Sequence, residues 1–180
     1  MTLYVALLRG INMGGHNKVA MADLRDFVAA LGFADVQTVL QSGNVVFRGR
    51  MRAPSALEKL FETETAKHFG IDTRFMVRTV AEWKKIVAGN PFHDEAKDDP
   101  GHLAVVFLKD KPARKNLDAL KANIAGREYF HARGRELYAI YPDGFAGSKF
   151  TLPLIDRKLE TRGTGRNWNT VLKLARLTDI

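Results

Sequence analysis

Two polar residues, Ser42-Gly43, separate two short strand-like runs, Val36 to Gln41 and Asn44 to Phe47. A turn this short joins strands only as an antiparallel hairpin. The hairpin sits inside a longer alternation of elements. Thr2 to Leu8 is an apolar run with the character of a buried strand. Met21 to Leu31 then places Leu24, Phe27, Val28 and Leu31 at helical spacing, and Gly32 is a suitable stop. After the hairpin, Leu57, Leu60, Phe61 and Thr65 continue one helical face, with Ser55 as N-cap and Glu58 completing a capping box. Ile71 to Val80 reads as a strand. The order β-α-β-β-α-β is the ferredoxin-like split pattern.

The second half starts the same order again. A helix over Val80 to Ala88 ends at Asn90-Pro91, and Phe92 to Gly101 reads as an acidic, turn-rich loop. His102 to Leu108 is a strand, Pro112 to Ile124 a helix, and Glu128 to Ala132 with Leu137 to Tyr141 a hairpin turned at Arg133-Gly134-Arg135. Ser148 to Leu159 is mixed, with Pro153 interrupting it. No fourth strand is expected there; a final helix, Asn167 to Leu177, carries Trp168, Val171, Leu172, Leu174 and Ala175 on one face. The fold class is therefore α+β, with two ferredoxin-like subdomains. Residues 1–80 form the first and 81–101 a helix and acidic linker. Residues 102–180 form a variant that ends in a helix where a fourth strand would stand. The repeat is one of element order, without a residue-level counterpart.

Topology places two loops together. A β-α-β crossover joins parallel strands, so the loop after the first strand and the turn of the hairpin lie on one sheet edge. The first strand and the third are neighbours in this pattern. Arg9 to Lys18 should therefore stand beside Gln41 to Asn44. Glycines such as Gly14 and Gly15 allow a ligand close to main-chain N–H groups. The side chains of Asn12, Asn17, Gln41, Ser42 and Asn44 can donate and accept, and Arg9 and Lys18 suit a carboxylate or phosphate. Asn and Gly also populate turns for local reasons alone.

A third polar cluster, Arg162, Thr164, Arg166 and Asn167, opens the last helix in this reading. Its free N–H groups and two arginines make it a second candidate anion site. The pattern of a Walker A loop is absent.

The balance of charge agrees with an acidic partner. The chain of 180 residues has a net charge of +8, which favours anionic small molecules or nucleic acid. There is no cysteine, hence no disulfide and no thiolate site. The apolar N-terminus lacks a basic leader, and no apolar run approaches membrane-spanning length, so a cytoplasmic protein without a membrane partner is expected.

Arg9 to Gly15 (Arg-Gly-Ile-Asn-Met-Gly-Gly), Leu40 to Val45 (Leu-Gln-Ser-Gly-Asn-Val) and Thr164 to Val171 (Thr-Gly-Arg-Asn-Trp-Asn-Thr-Val) together resemble an uncharacterised bacterial family, domain of unknown function 1697. The resemblance spans essentially the whole chain. It implies a pair of ferredoxin-like subdomains, the second a variant, and implies no activity, cofactor or catalytic residue. The chain departs from the family pattern at Gly165, where a threonine is usual.

The five histidines show no metal-ligand spacing, and His93, Asp94, Glu95 and His102 read as a solvated loop more readily than a metal site. His16 is the best-placed acid–base group, and Ser42 the only nucleophile near the rim, without a nucleophile elbow around it. Tyr4 and Phe47 would be the base-stacking residues of an RNA-binding sheet, but packing explains them more simply. The leading expectation is a protein that binds an anionic or phosphate-bearing ligand, nucleic acid included, at the rim of residues 9–18 and 41–44. The alternatives are an enzyme acting on a small phosphorylated or carboxylated metabolite and a protein-interaction module.

Overall fold

The computed structural model describes residues 1–179. Among these, the chain forms two four-stranded antiparallel sheets and seven α-helices. Two compact units result, Met1–Lys85 with the residues from Leu174 onward, and Ile86–Lys173.

The first sheet contains β1 (Thr2–Leu8), β2 (Ala34–Val39), β3 (Asn44–Gly49) and β4 (Phe75–Thr79), in the order β2-β3-β1-β4. Helices α1 (Met21–Ala30) and α2 (Pro54–Phe69) link β1 to β2 and β3 to β4. Alternate residues of β1, Tyr4, Ala6 and Leu8, join Phe47, Phe75, Leu24, Phe27 and Phe61 in one core. Val5 and Leu7, on the other face, are buried as well. That double burial is why the strand reads as one unbroken apolar run. Tyr4 stacks on Phe47 at 5.4 Å, and both are fully buried. They are core residues, so this sheet offers no base-stacking platform.

The expected capping box at Ser55 does not form. The N-cap of α2 is Ala53, with Pro54 in the first turn. Glu58 instead lies buried against the sheet. Its Oε1 accepts the Val77 N–H at 2.9 Å and stands 3.9 Å from the buried Arg78 guanidinium. A reciprocal box does open α3 (Val80–Ala88): Thr79 Oγ1 accepts the Glu82 N–H at 3.2 Å, and Glu82 Oε2 accepts the Thr79 N–H at 2.8 Å.

The second sheet contains β5 (Leu103–Leu108), β6 (Tyr129–Arg133), β7 (Glu136–Ile140) and β8 (Gly163–Asn167), in the order β6-β7-β5-β8. Its helices are α5 (Arg114–Ala122) and α6 (Leu152–Leu159), which has Pro153 harmlessly in its first turn. The expectation that a fourth strand is missing is corrected by β8, which pairs with β5 from Leu108↔Gly163 to Ala104↔Asn167. The segment Gly-Thr-Gly-Arg-Asn has little intrinsic strand preference. It becomes a strand because β5 has an edge to fill and Gly163 lets the backbones approach. A Cβ at Gly163 would lie 2.9 Å from Leu108 Cδ2. The final helix, α7 (Trp168–Leu177), follows this strand and does not replace it. The acidic loop is also partly ordered, as α4 (His93–Asp98) and a 3-10 turn over Pro100–His102.

The two halves therefore share one element order, including a helix after each fourth strand. The repeat extends to register. Val5 pairs with Arg78 and Val105 with Arg166, and both arginines are buried. Leu8 N donates to Gly43 O and Leu108 N to Arg135 O, each at 2.8 Å. Arg9 N donates to Arg74 O and Lys109 N to Arg162 O. Val5 and Val105, Leu8 and Leu108, Arg74 and Arg162, and Arg78 and Arg166 are the same residue in both halves, whereas Gly43 and Arg135, and Arg9 and Lys109, differ; scattered identities of this kind form no continuous motif.

Candidate functional site

The loop after β1 and the β2–β3 turn meet at one edge of the first sheet. β2 and β1 both run antiparallel to β3, so the end of β1 and the start of β3 share that edge. Asn12 closes the junction. Its Nδ2 donates to Gln41 O at 2.9 Å and to Val19 O at 2.8 Å, while its Oδ1 accepts the Val19 N–H at 2.8 Å. One amide thus holds both ends of its own loop and ties them to the neighbouring turn. Asn12 N also donates to Asn17 O at 3.1 Å, and Asn17 Nδ2 reaches Gly10 O at 3.4 Å. Arg9 is anchored through its backbone, with its carbonyl accepting Thr73 Oγ1–H at 2.6 Å.

The turn is built as tightly. Asn44 is fully buried and donates from Nδ2 to Val39 O at 2.6 Å and Ser42 Oγ at 3.0 Å. Gly43 has φ +79°, and a Cβ there would lie 2.6 Å from Ile11 Cδ1 and 2.9 Å from Leu8 Cβ. Glycine is demanded at Gly43 twice over, by conformation and by contact. Gly14 and Gly15 are needed for positive φ alone, since a Cβ at either meets nothing within 4 Å.

These bonds sort the nine residues expected at the rim. Asn12, Asn17, Ser42 and Asn44 spend polar atoms on the loops themselves. Among the described residues, the Lys18 ammonium and the Gln41 side-chain amide make no hydrogen bond or ion pair. Both face an open cleft of about 390 Å³, lined by Asn12, Gly15, Lys18, Val19, Ala20 and Gln41. Arg9 and Gly14 are not part of that lining. Val19 and Ala20 line it unforeseen; their one sequence signal is their place between the polar loop and the start of α1.

The second candidate site differs from its sequence reading. Thr164 and Arg166 lie on β8 and are buried, so they do not stand at a helix start. Arg166 Nη1 donates to Thr164 Oγ1 and Gly165 O, both at 2.8 Å. Burial draws its guanidinium down to about 10. Arg162 pairs with Asp156 at 3.4 Å. Asn167 is the N-cap of α7, its Oδ1 accepting both the N–H and the Oγ1–H of Thr170 at 3.0 Å. The polar atoms of this cluster serve the strand and the cap.

Among the described residues, no group of three His, Asp or Glu side chains is arranged to hold a metal ion. In the acidic segment, His102 Nδ1 contacts Asp99 Oδ2 at 2.7 Å and Glu95 Oε1 accepts the Tyr129 hydroxyl at 2.9 Å. No described helix is long and apolar enough to cross a membrane.

Among solved structures, a conserved bacterial protein from Streptococcus pneumoniae is similar over 97% of each chain, with a TM-score of 0.75 and 24% identity. That likeness concerns the fold. No curated protein matches the chain. The family model for a protein of unknown function, DUF1697, matches residues 1–138, which hold the Arg9–Gly15 and Leu40–Val45 motifs but not the Thr164–Val171 one. The chain belongs to the DUF1697 family of proteins of unknown function.

Proposed function

We propose that the protein is a binding protein built on two ferredoxin-like halves, and that the rim of the first half holds a small anionic ligand. One observation carries this reading. The same fold is made twice, yet only the first half elaborates this edge. Its β1–α1 connection is residues 9–20, whereas the β5–α5 connection is residues 109–113. Its hairpin turn is residues 40–43, whereas the β6–β7 turn is Gly134-Arg135. Connecting the elements thus does not require the longer loops. Both extensions lie on one edge, and Asn12 binds them together over the cleft. The loop amides act as positioning groups, and Lys18 and Gln41 as the ligand contacts.

The chemistry favours a small ligand over a polyanion. Lys18 is the one charged residue in the cleft lining, and a nucleic-acid track needs several cations and exposed stacking surfaces. The cleft volume lies within the range of small-molecule sites. Calorimetry with carboxylates and phosphate esters tests the reading. Binding is expected to weaken in Lys18→Ala and Gln41→Ala, to survive in Lys18→Arg, and to leave the melting temperature of the free variants unchanged. If no anionic compound binds the native protein at millimolar concentration, the reading fails.

A further inference from the structure

We infer that the ligand of this rim is an amphipathic organic anion, with one acidic head and an aryl or alkyl body, and that Leu40 and Met13 form its apolar lip. The inference rests on the reading of the rim as a ligand site. Its first support is the composition of the cleft. One exposed lysine contributes less than about fivefold in affinity as a solvent-screened ion pair. Gly15, Val19 and Ala20 bring no polar side chain. A ligand held at useful strength must therefore gain from apolar contact.

The second support is backbone strain at an exposed leucine. Leu40 has φ +60° and is 46% exposed. A leucine in the left-handed region is rare and unfavourable, and glycine or asparagine would make the turn without that strain. The second half uses Gly134, at φ +58°, in its shorter turn. Leu40 does not belong to the core cluster of its unit, and the turn geometry by itself would favour glycine or asparagine. Strain held at an exposed position marks a functional surface.

Met13 completes the lip. It is 69% exposed at the end of the Met13–His16 bridge. Met13 follows Asn12 and Leu40 precedes Gln41 in the chain. The Asn12–Gln41 bond therefore fixes the two apolar residues on either side of the junction. Neither lines the cleft itself, so they would meet the part of a ligand that projects beyond it. Methionine suits such a role because its unbranched thioether adapts to varied shapes.

Matched pairs of ligands test this, each pair sharing a head: inorganic phosphate with phenyl phosphate, and acetate with benzoate, measured by calorimetry on the native chain. In at least one pair the aryl member is expected to bind about tenfold tighter or more. Leu40→Gly should melt higher than the native protein, because it relieves strain, and should lose most of that preference while keeping the affinity for the bare head. Met13→Ala should reduce the preference with no change in melting. Lys18→Ala should weaken both members of the pair. Equal binding within both pairs would overturn the amphipathic ligand and leave the anion site standing. A preference that survives both Leu40→Gly and Met13→Ala would overturn the assignment of the lip. No binding of any of the four would remove the anion site and this inference together.

Discussion

Asn12 and Gln41, 29 positions apart in the chain, are joined by a side-chain-to-carbonyl bond of 2.9 Å, and that bond is the seam of the candidate site. Asn12 reaches it with φ +55°, a backbone conformation asparagine tolerates better than other non-glycine residues. No aliphatic side chain could hold both loops from this position. Asn12→Ala removes a donor to two carbonyls and the acceptor of the Val19 N–H. The expected loss of stability is about 1–3 kcal/mol. Hydrogen exchange at Val19 should quicken well beyond that of the β1 amides, since the opening is local. Unchanged exchange at Val19 would contradict the role given to Asn12.

The glycines of the rim should not respond alike. Gly43→Ala sets a Cβ against Ile11 and Leu8 in addition to its unfavourable φ. It should cost about 2–4 kcal/mol in denaturant unfolding. Gly14→Ala, at φ +57° with nothing nearby, should cost only about 1–2 kcal/mol. Equal losses would mean that conformation alone sets the requirement.

Glu58 anchors α2 to the first sheet. Glu58→Ala strands the Val77 N–H and takes the carboxylate away from the buried Arg78. Leaving a buried cation without that partner is expected to cost about 3–5 kcal/mol. Chemical denaturation would measure it. A loss under 1 kcal/mol would show that other partners of Arg78 suffice.

The protein should weaken at alkaline pH through two buried phenols. Burial raises both Tyr138 and Tyr141 above the ordinary tyrosine value of 10.0. Tyr138 donates to Ile86 O at 2.7 Å and Tyr141 to Phe150 O at 2.9 Å. Above pH 10 the unfolded chain releases these protons while the folded protein keeps them. The stability they provide is complete below pH 10 and is lost as the pH rises above it. Arg166 opposes this, because burial makes the folded protein shed its proton first, from about 10 upward. Two phenols against one guanidinium leave a net fall of about 1.4 kcal/mol per pH unit at full effect. The double variant Tyr138→Phe with Tyr141→Phe should be less stable at pH 7 by about 1–3 kcal/mol. Its alkaline decline should be visibly flatter than that of the native chain. An equally steep decline would rule the phenols out as the cause.

By itself, the sequence determined the elements with strong local signals and, through topology, the meeting of two loops. The apolar run of β1, the spacing in α1 and the short polar turn at Ser42-Gly43, which the structure extends to residues 40–43, were enough to put Asn12 and Gln41 on one sheet edge, because a crossover helix leaves few arrangements for strands that short. Only the tertiary structure decided the rest. Gly163 to Asn167 carries no strand pattern; it is a strand because β5 lacks a neighbour there and a glycine lets one approach. Arg166 looked like a free cation at a helix start, and its burial follows from that same pairing. Glu58 looked like half of a capping box, yet it faces Val77 and Arg78 across the core, a contact no local window contains. At the rim, the sequence supplied a set of nine polar and glycine residues but not which of them are already engaged. Hydrogen-bond partners are chosen in three dimensions: they occupy Asn12, Asn17, Ser42 and Asn44, and leave the side chains of Lys18 and Gln41 over the cleft.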